Sequence, residues 1–259
     1  MSLRMAEASV VRTGQPILDR ASLECQPARF TAFCGPNGAG KTTALSLLSG
    51  AVRADMGEVT MNERPIPRFK PIELARTRAV VAQSSALNFP FHVHEVVEMG
   101  RTPWAGRTSR RRDSEIVATV MAEMEISQLG ARNYLTLSGG ERQRVNIARA
   151  LAQLWDEPPD NTPRWLLLDE PTAALDLRHQ IALLALLERL ARQGWGVVAV
   201  LHDLHLVHEH ADEVVLFKNG RVLEAGAAQI ALTPRGVQRA YDLQEPYEFI
   251  TRGSSQPAS

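Results

Sequence analysis

The chain has 259 residues, and its 29 basic and 29 acidic residues cancel to a formal net charge of zero, which argues against a nucleic-acid partner. Its two cysteines are too few for a disulfide framework, and no apolar run approaches the roughly 18 residues of a membrane span. Residues 1–8 also lack the layout of a signal peptide, so we expect a cytoplasmic domain with a sizeable core of its own.

The most informative segment follows the first group of predicted strands. Residues 3–34 have the pattern of short strands, and the last of them, 30–34, leads into a glycine-rich loop of the form G-x-x-x-x-G-K-T. A helix-like run at 43–49 follows the loop. The residues expected to hold phosphate here are Gly35, Pro36, Asn37, Gly38, Ala39, Gly40, Lys41, Thr42 and Thr43.

This loop predicts a site for a Mg²⁺-bound nucleoside triphosphate. Its glycines let backbone N–H groups close around a polyphosphate, and the helix that follows directs the positive end of its dipole at the same anion. Lys41 is expected to reach the β- and γ-phosphates, and the Thr42 hydroxyl is expected to hold Mg²⁺.

Further along the chain, short apolar runs alternate with helical patterns. We predict further strands at 59–62, 79–82, 165–169, 197–201 and 214–224. The last of these contains Asn219 and Gly220, a strong signal for a hairpin turn. Continuous apolar runs suit parallel strands buried on both faces. The pattern predicts an α/β fold, with a P-loop NTPase core of the RecA-like type and an antiparallel β subdomain.

The stretch 88–155 differs because it contains no obvious strand. Apolar residues around Val120 follow helical spacing with Ser114 as a candidate cap, and a second helix is predicted at 141–155. We interpret this stretch as an inserted α-helical subdomain. The predicted parts are a core at about 1–87 and 156–235, the helical subdomain at about 88–155, and a C-terminal extension at 236–259.

Four polar side chains follow predicted strands, at the edge where ligands of open α/β sheets gather. Asp169 ends a buried strand and is the expected carboxylate on the Mg²⁺ side, while Glu170 beside it is a candidate general base for the attacking water. Gln83 is a candidate contact to Mg²⁺ or to that water, and His202 to the γ-phosphate. A lone Gln is nevertheless usually a surface residue, and a lone His is usually structural.

A second helix start carries Ser138, Gly139 and Gly140, whose N–H groups are expected to bind an anion. This segment belongs to the predicted helical subdomain, whereas the loop at 35–42 belongs to the core. One chain cannot easily fold one segment onto the other. We therefore predict a two-fold homodimer, in which each triphosphate lies between one subunit's loop and Ser138 of the partner subunit.

These segments, in this order, resemble the ATP-binding-cassette (ABC) ATPases, the motor subunits of ABC transporters. The matching motifs are Walker A at 35–42, the Q-loop at Gln83, the signature at 137–143, the Walker B strand at 166–169, the D-loop at 173–176 and the switch histidine at His202. The resemblance covers roughly residues 3–235. It implies ATP and Mg²⁺ as ligands, and it adds Asp176 to the residues expected near the nucleotide.

Other stretches narrow the resemblance. Residues 78–85, 89–91 and 95–101 are similar to importers of iron chelates, haem and cobalamin, and 150–155 and 200–204 are similar to the hemin-import ATP-binding proteins of bacteria. This resemblance implies an ATPase at the cytoplasmic face of the bacterial inner membrane. Its implied partners are a permease dimer and, indirectly, a periplasmic haem-binding protein. Ferric siderophore or cobalamin stays open as the cargo, because these residues do not touch it.

The sequence leaves alternatives open for the function, for the contact to adenine, and for the roles of residues 89–91 and 107–112. A soluble cassette ATPase acting on nucleic acid is the remote alternative, although the stretch between Gln83 and Leu137 is too short for the long coiled coil of such proteins. Where the family often stacks an aromatic residue on adenine, this chain has Arg12, whose guanidinium is a candidate substitute. Residues 89–91 are either core or part of a groove for the permease, and residues 107–112 either a solvated helix start or a contact to permease or membrane.

Overall fold

The structure, a computed structural model, describes residues 1–83 and 89–247. The strands in these ranges are β1 (Leu3–Arg12), β2 (Gln15–Cys25), β3 (Phe30–Cys34), β4 (Met56–Met61), β5 (Arg64–Pro65), β6 (Arg78–Val81), β7 (Trp165–Asp169), β8 (Gly196–Val200), β9 (Glu213–Lys218) and β10 (Arg221–Ala227). The α-helices are α1 (Lys41–Ser49), α2 (Pro71–Thr77), α3 (Val93–Glu98), α4 (Arg110–Glu123), α5 (Gly139–Leu154), α6 (Leu177–Arg192), α7 (Leu204–His210), α8 (Ala228–Ala231) and α9 (Pro234–Tyr241).

The strands form two sheets. One is antiparallel, with the order β2-β1-β4-β5. The other has the order β10-β9-β3-β8-β7-β6 and is parallel apart from β10, which forms the predicted hairpin with β9. The predicted α/β fold with a separate antiparallel sheet is confirmed.

The parallel sheet is buried on both faces, as its continuous apolar strands predict. Every residue of β3, β7 and β8 is buried. Leu166 and Leu168 point into a core shared with α3, α4 and α5, whereas Leu167 and Phe33 point into a second core formed with α1 and the antiparallel sheet. The sheet therefore joins two halves of the molecule and brings the carboxyl ends of its strands to one edge.

Helices α3, α4 and α5 occupy the stretch predicted to be helical. The predicted cap Ser114 is wrong, because it lies inside α4; Ser109 caps this helix, accepting a hydrogen bond from the backbone N–H of Arg112 at 3.2 Å. The second predicted helix, α5, begins at Gly139 rather than at residue 141, because the residue before it is the cap. Arg110, Arg111 and Arg112 thus form the first turn of α4.

The limits assigned to the subdomains stay a prediction, and part of them, residue 88 and residues 248–259, lies outside the described residues. Across 1–83 and 89–247, no helix combines the length and the apolar character that crossing a membrane requires.

Candidate active site

The predicted phosphate loop runs from the end of β3 into α1. Gly35 and Gly40 have φ angles of 143° and 99°, which side chains rarely tolerate. A Cβ at Gly35 would lie 2.3 Å from the carbonyl oxygen of Phe217, and one at Gly40 would lie 2.8 Å from the side chain of Leu18. Both positions therefore require glycine, one for close approach to β9 and one for the turn into the helix.

The loop forms one wall of a cavity of about 490 Å³. The residues that line it are Ile17, Asn37, Gly38, Ala39, Gly40, Lys41, Thr42, Thr43, Gln83, Glu170 and His202. Of the residues predicted in the phosphate loop and at the strand ends, Gly35, Pro36 and Asp169 do not line the cavity, but they hydrogen-bond to Lys41 and Thr42, which do. The structure thus gathers the loop and the polar strand ends around one space.

Lys41 is held by the loop itself. Its ammonium donates to the carbonyl oxygens of Gly35 and Pro36 at 2.6 and 2.8 Å, and the residue is only 5% exposed. Burial lowers the pKa of Lys41, while the charges of Asp169 and Glu170 oppose that effect. An incoming polyphosphate would favour the charged ammonium in the same way as these carboxylates do, so the lysine is suited to bind an anion.

Thr42 and Asp169 meet behind the loop, where the Thr42 hydroxyl donates to the Asp169 carboxylate at 3.1 Å. Burial raises the pKa of Asp169, and the bond from Thr42 partly offsets this rise. Hydroxyl and carboxylate oxygens are ligands that Mg²⁺ prefers, and a cation would relieve the cost of burying the carboxylate. These two residues therefore fit the predicted metal.

Glu170 is fixed by two side chains from neighbouring strands. Gln83 follows β6 and donates its amide N–H to Glu170 Oε2 at 2.8 Å, whereas His202 follows β8 and places Nε2 2.7 Å from Glu170 Oε1. Glu170 itself follows β7, between the other two strands, and has the unusual φ of 48°. The three predicted catalytic residues thus form one hydrogen-bonded group at the cavity.

Ser138 begins α5 and takes part in a reciprocal cap. Its hydroxyl accepts from the backbone N–H of Glu141 at 3.2 Å, and the Glu141 carboxylate accepts from the Ser138 N–H at 2.8 Å. Gly140 packs closely on the chain after β7, since a Cβ there would lie 2.8 Å from the carbonyl oxygen of Ala174. The segment 138–140 is not among the residues that line the cavity in the described part of the chain.

Asp176 has a similar capping role at the start of α6, where its carboxylate accepts from the backbone N–H of His179 at 2.9 Å. Hydrogen bonds from that residue lower the pKa of Asp176. Asp176 does not line the cavity either. For Ser138, Gly139, Gly140 and Asp176, a place beside the nucleotide stays a prediction.

Two contacts were missed by the sequence analysis. Ile17, near the start of β2, lines the cavity, whereas Arg12 does not and instead lies 3.9 Å from Asp55 in an exposed ion pair. The hydroxyl of Tyr241, on α9, accepts from the backbone N–H of Gly35 at 3.0 Å. No local motif marks Ile17 or Tyr241, because only the tertiary fold brings them to the loop.

Known proteins match this chain over most of its length. A family model described as ABC transporter matches residues 18–173. The Hemin import ATP-binding protein HmuV of Gloeobacter violaceus is 45% identical over 242 residues, covering 93% of this chain and 88% of the relative. The protein of the same name from Hahella chejuensis is 43% identical over 236 residues, covering 91% and 90%. A solved ATP-binding subunit of an ABC transporter has a TM-score of 0.78 at 22% identity, covering 94% of each chain, which shows the fold alone.

Proposed function

This chain belongs to the ABC transporter family, and we propose that it is the ATP-hydrolysing subunit of a bacterial hemin importer. The observation that carries the enzymatic part is the group of Gln83, Glu170 and His202, which faces Lys41 and the phosphate loop across one cavity. Phosphoryl transfer to water depends mainly on positioning and on charge stabilisation, and this cavity supplies both.

ATP binds with its phosphates against the loop. Lys41 exchanges the carbonyl oxygens of Gly35 and Pro36 for phosphate oxygens, since an anion is the better partner for its ammonium. The N–H groups at the start of α1 add the positive end of the helix dipole. Binding therefore uses groups that the resting chain already holds in place.

Thr42 and Asp169 are the residues that would hold Mg²⁺, with Gln83 as the third candidate. A cation bound there would supply neutralisation of the charge that develops on the phosphates. The Thr42 hydroxyl and the Asp169 carboxylate are already within hydrogen-bonding distance of each other, so their oxygens lie close enough to serve one cation.

Glu170 is the general base that accepts a proton from the attacking water. Gln83 and His202 orient its two oxygens from opposite sides. His202 is also the candidate contact to the γ-phosphate, which makes it a link between the bound nucleotide and the base.

The working unit is a two-fold homodimer. Ser138 lies at the start of a 16-residue helix whose N-terminus suits an anion, and it is separate from the cavity of its own chain. In the dimer, Ser138, Gly139 and Gly140 of one subunit complete the cavity of the other, and Asp176 lies near the shared nucleotide. Closure of the dimer on ATP and its opening after hydrolysis supply the motion that drives transport.

A permease dimer holds the ATPase at the cytoplasmic face of the inner membrane and receives this motion through residues of about 84–104. Residues 84–88 lie outside the described residues. Next to them, Phe89 is 67% exposed, with its ring centroid 6.2 Å from that of Phe91. Phe91 is partly buried against the core, so the exposed ring of Phe89 is what supports a contact surface for the permease. A periplasmic haem-binding protein delivers cargo to that permease.

The cargo is tested with the transporter itself. The chain is purified with its permease, placed in proteoliposomes, and ATP-dependent uptake is compared for hemin, cobalamin and a ferric siderophore. We expect hemin to be taken up, and Lys41→Ala to abolish uptake. Uptake of another cargo in preference to hemin would contradict the hemin assignment alone, whereas absence of ATP hydrolysis by the wild-type complex would contradict the ATPase assignment.

A further inference from the structure

The C-terminal part of the chain reaches back to the first residue of the phosphate loop. Tyr241 ends α9, and its hydroxyl accepts the backbone N–H of Gly35 at 3.0 Å across a separation of 206 residues. Its half-buried ring packs against the core that contains β3. The contact therefore joins two elements that no local sequence pattern connects.

Gly35 is constrained on its other sides as well. The carbonyl oxygen of Phe217 on β9 approaches it so closely that no side chain fits, and its own carbonyl oxygen accepts from Lys41. The N–H group held by Tyr241 is thus the third constraint on the residue from which the loop begins. Lys41, the lysine proposed to bind phosphate, therefore hydrogen-bonds to the same residue whose N–H group Tyr241 accepts.

Helix α9 is fastened to the strand that flanks the loop. Lys218, the last residue of β9, donates to the carbonyl oxygen of Arg239 and to the carboxylate of Asp242, and Arg239 pairs with Glu224 on β10. Three buried residues of α9, among them Val237, add apolar contact. Tyr241 is therefore presented to Gly35 from an anchored helix.

The same side chain borders the loop that carries His202. A cavity of about 530 Å³ separates this loop from the C-terminal segment. His202 and Asp203 line it on one side, and Tyr241 and Tyr247 line it on the other. Tyr241 thus hydrogen-bonds to the phosphate loop and lines a cavity that His202 also lines.

We propose that Tyr241 is a positioning residue for the phosphate loop and that, by holding the N–H of Gly35, it keeps the loop in the shape that accepts ATP. The proposal rests on the proposed ATPase function. A loop that is already in the binding shape gives a higher apparent affinity than one that adopts it only part of the time. The effect of Tyr241 is thus expected on ATP binding rather than on the chemical step.

The test uses Tyr241→Phe, which removes the hydroxyl and retains the ring. Loss of one ordinary hydrogen bond is expected to weaken ATP binding to the full chain about 3- to 10-fold. In the complex with permease, KM for ATP should rise by a similar factor while kcat stays within about two-fold, the pattern of lost ground-state binding. Hydrogen exchange in a peptide containing Gly35 should also become faster in the variant.

A matched control is Tyr134→Phe, which removes a hydroxyl that bonds to Asn146 in the helical region. This control should lower Tm without changing ATP affinity. Lys218→Gln removes the contacts of Lys218 with Arg239 and Asp242 and retains the Tyr241 side chain. Because α9 then holds the Tyr241 hydroxyl less firmly against Gly35, this variant should weaken ATP binding in the same direction as Tyr241→Phe, and it provides the test if that variant does not fold.

Three results separate the inference from the function on which it rests. If Lys41→Ala loses ATP binding but Tyr241→Phe and Lys218→Gln bind ATP as the wild type does, the positioning role of Tyr241 is wrong and the ATPase assignment stands. A fall in kcat with unchanged KM would overturn the positioning role too. If the wild-type chain binds no ATP, the ATPase assignment itself is wrong.

Discussion

The two predicted binding segments of this chain differ in how complete they are. Around the phosphate loop, side chains from several strand ends converge, and Lys41, Asp169 and Glu170 all have partners within hydrogen-bonding distance. At the start of α5, the hydrogen bonds of Ser138 with other described residues stay within its own first helical turn, and Ser138 does not line that cavity. The order of the strands assembles the phosphate-loop site within one chain. The start of α5 is instead a capped helix N-terminus, which the proposed dimer would bring to the ATP of the partner subunit.

The largest expected effect tests the converged site. Glu170→Gln should lower ATP turnover by about 10²- to 10⁴-fold, the contribution typical of a general base, while ATP binding persists. Gel filtration with ATP should then show an accumulated dimer. The matched change Glu115→Gln alters an exposed carboxylate that pairs with Arg111, and it should leave turnover unchanged. Normal steady-state hydrolysis by Glu170→Gln would refute the assignment of the base.

The next effect separates the two sites. Ser138→Ala should lower turnover of the complex about 10- to 100-fold, because a hydrogen bond to a charged group contributes about 1.5–3 kcal/mol. Nucleotide affinity of the isolated monomer should not change, since Ser138 does not line the cavity of its own chain.

The control for Ser138→Ala is Ser109→Ala, which removes the cap of α4 at the same 3.2 Å hydrogen-bond length. Both variants should lose about 0.5–2 kcal/mol of stability in denaturant unfolding, as lost caps do. Only Ser138→Ala should lose turnover. Equal loss of turnover in both variants would mean that the effect comes from the cap, and would remove the support for a shared site.

The smallest effect concerns stability and pH. Because burial raises the pKa of Asp169, the folded chain binds the proton of this carboxyl more tightly than the unfolded chain does. The resulting contribution to the free energy of unfolding is present at low pH and is lost as pH rises through the folded-state pKa. Asp169→Asn should therefore raise Tm near pH 7.5 by about 2–4 °C, equivalent to roughly 1 kcal/mol. The gain should shrink as pH falls toward the unfolded value, about 3.9.

Asp176→Asn should change Tm in the opposite direction from Asp169→Asn, because hydrogen bonds from His179 lower the pKa of Asp176. Its carboxylate stabilises the fold above its unfolded pKa, and that contribution is lost as pH falls. Tm should therefore decrease slightly near pH 7.5 and converge with the wild type in acid. A pH-independent gain in Asp169→Asn would show that packing, rather than charge, causes the difference.

The parallel strands could be predicted because their apolar runs are continuous, and the site followed because side chains at adjacent strand ends must meet. Gln83, Glu170 and His202 were predicted from this reasoning, and their mutual hydrogen bonds agree with it. Local signals were weaker guides. Ser114 was predicted as the cap, but α4 begins at Arg110 with Ser109 as its cap, because the start of the helix depends on packing that the local sequence does not show.

The contacts of Ile17 and Tyr241 could not be predicted, because each depends on the docking of a distant element. Ile17 reaches the cavity through the antiparallel sheet, and Tyr241 through α9. Neither residue is part of a phosphate-binding pattern. Sequence reasoning about motifs therefore finds the groups that do chemistry before it finds those that hold them in place.

The position of β3 has a consequence for how the protein is made. This strand leads into the phosphate loop, yet its neighbours in the sheet are β8 and β9, so its backbone partners are residues 196–200 and 213–218. During synthesis on the ribosome, the first segment needed for nucleotide capture must wait until most of the chain has emerged. We therefore expect a fragment that lacks β8 and β9 to leave β3, and the phosphate loop that follows it, without their neighbours in the sheet.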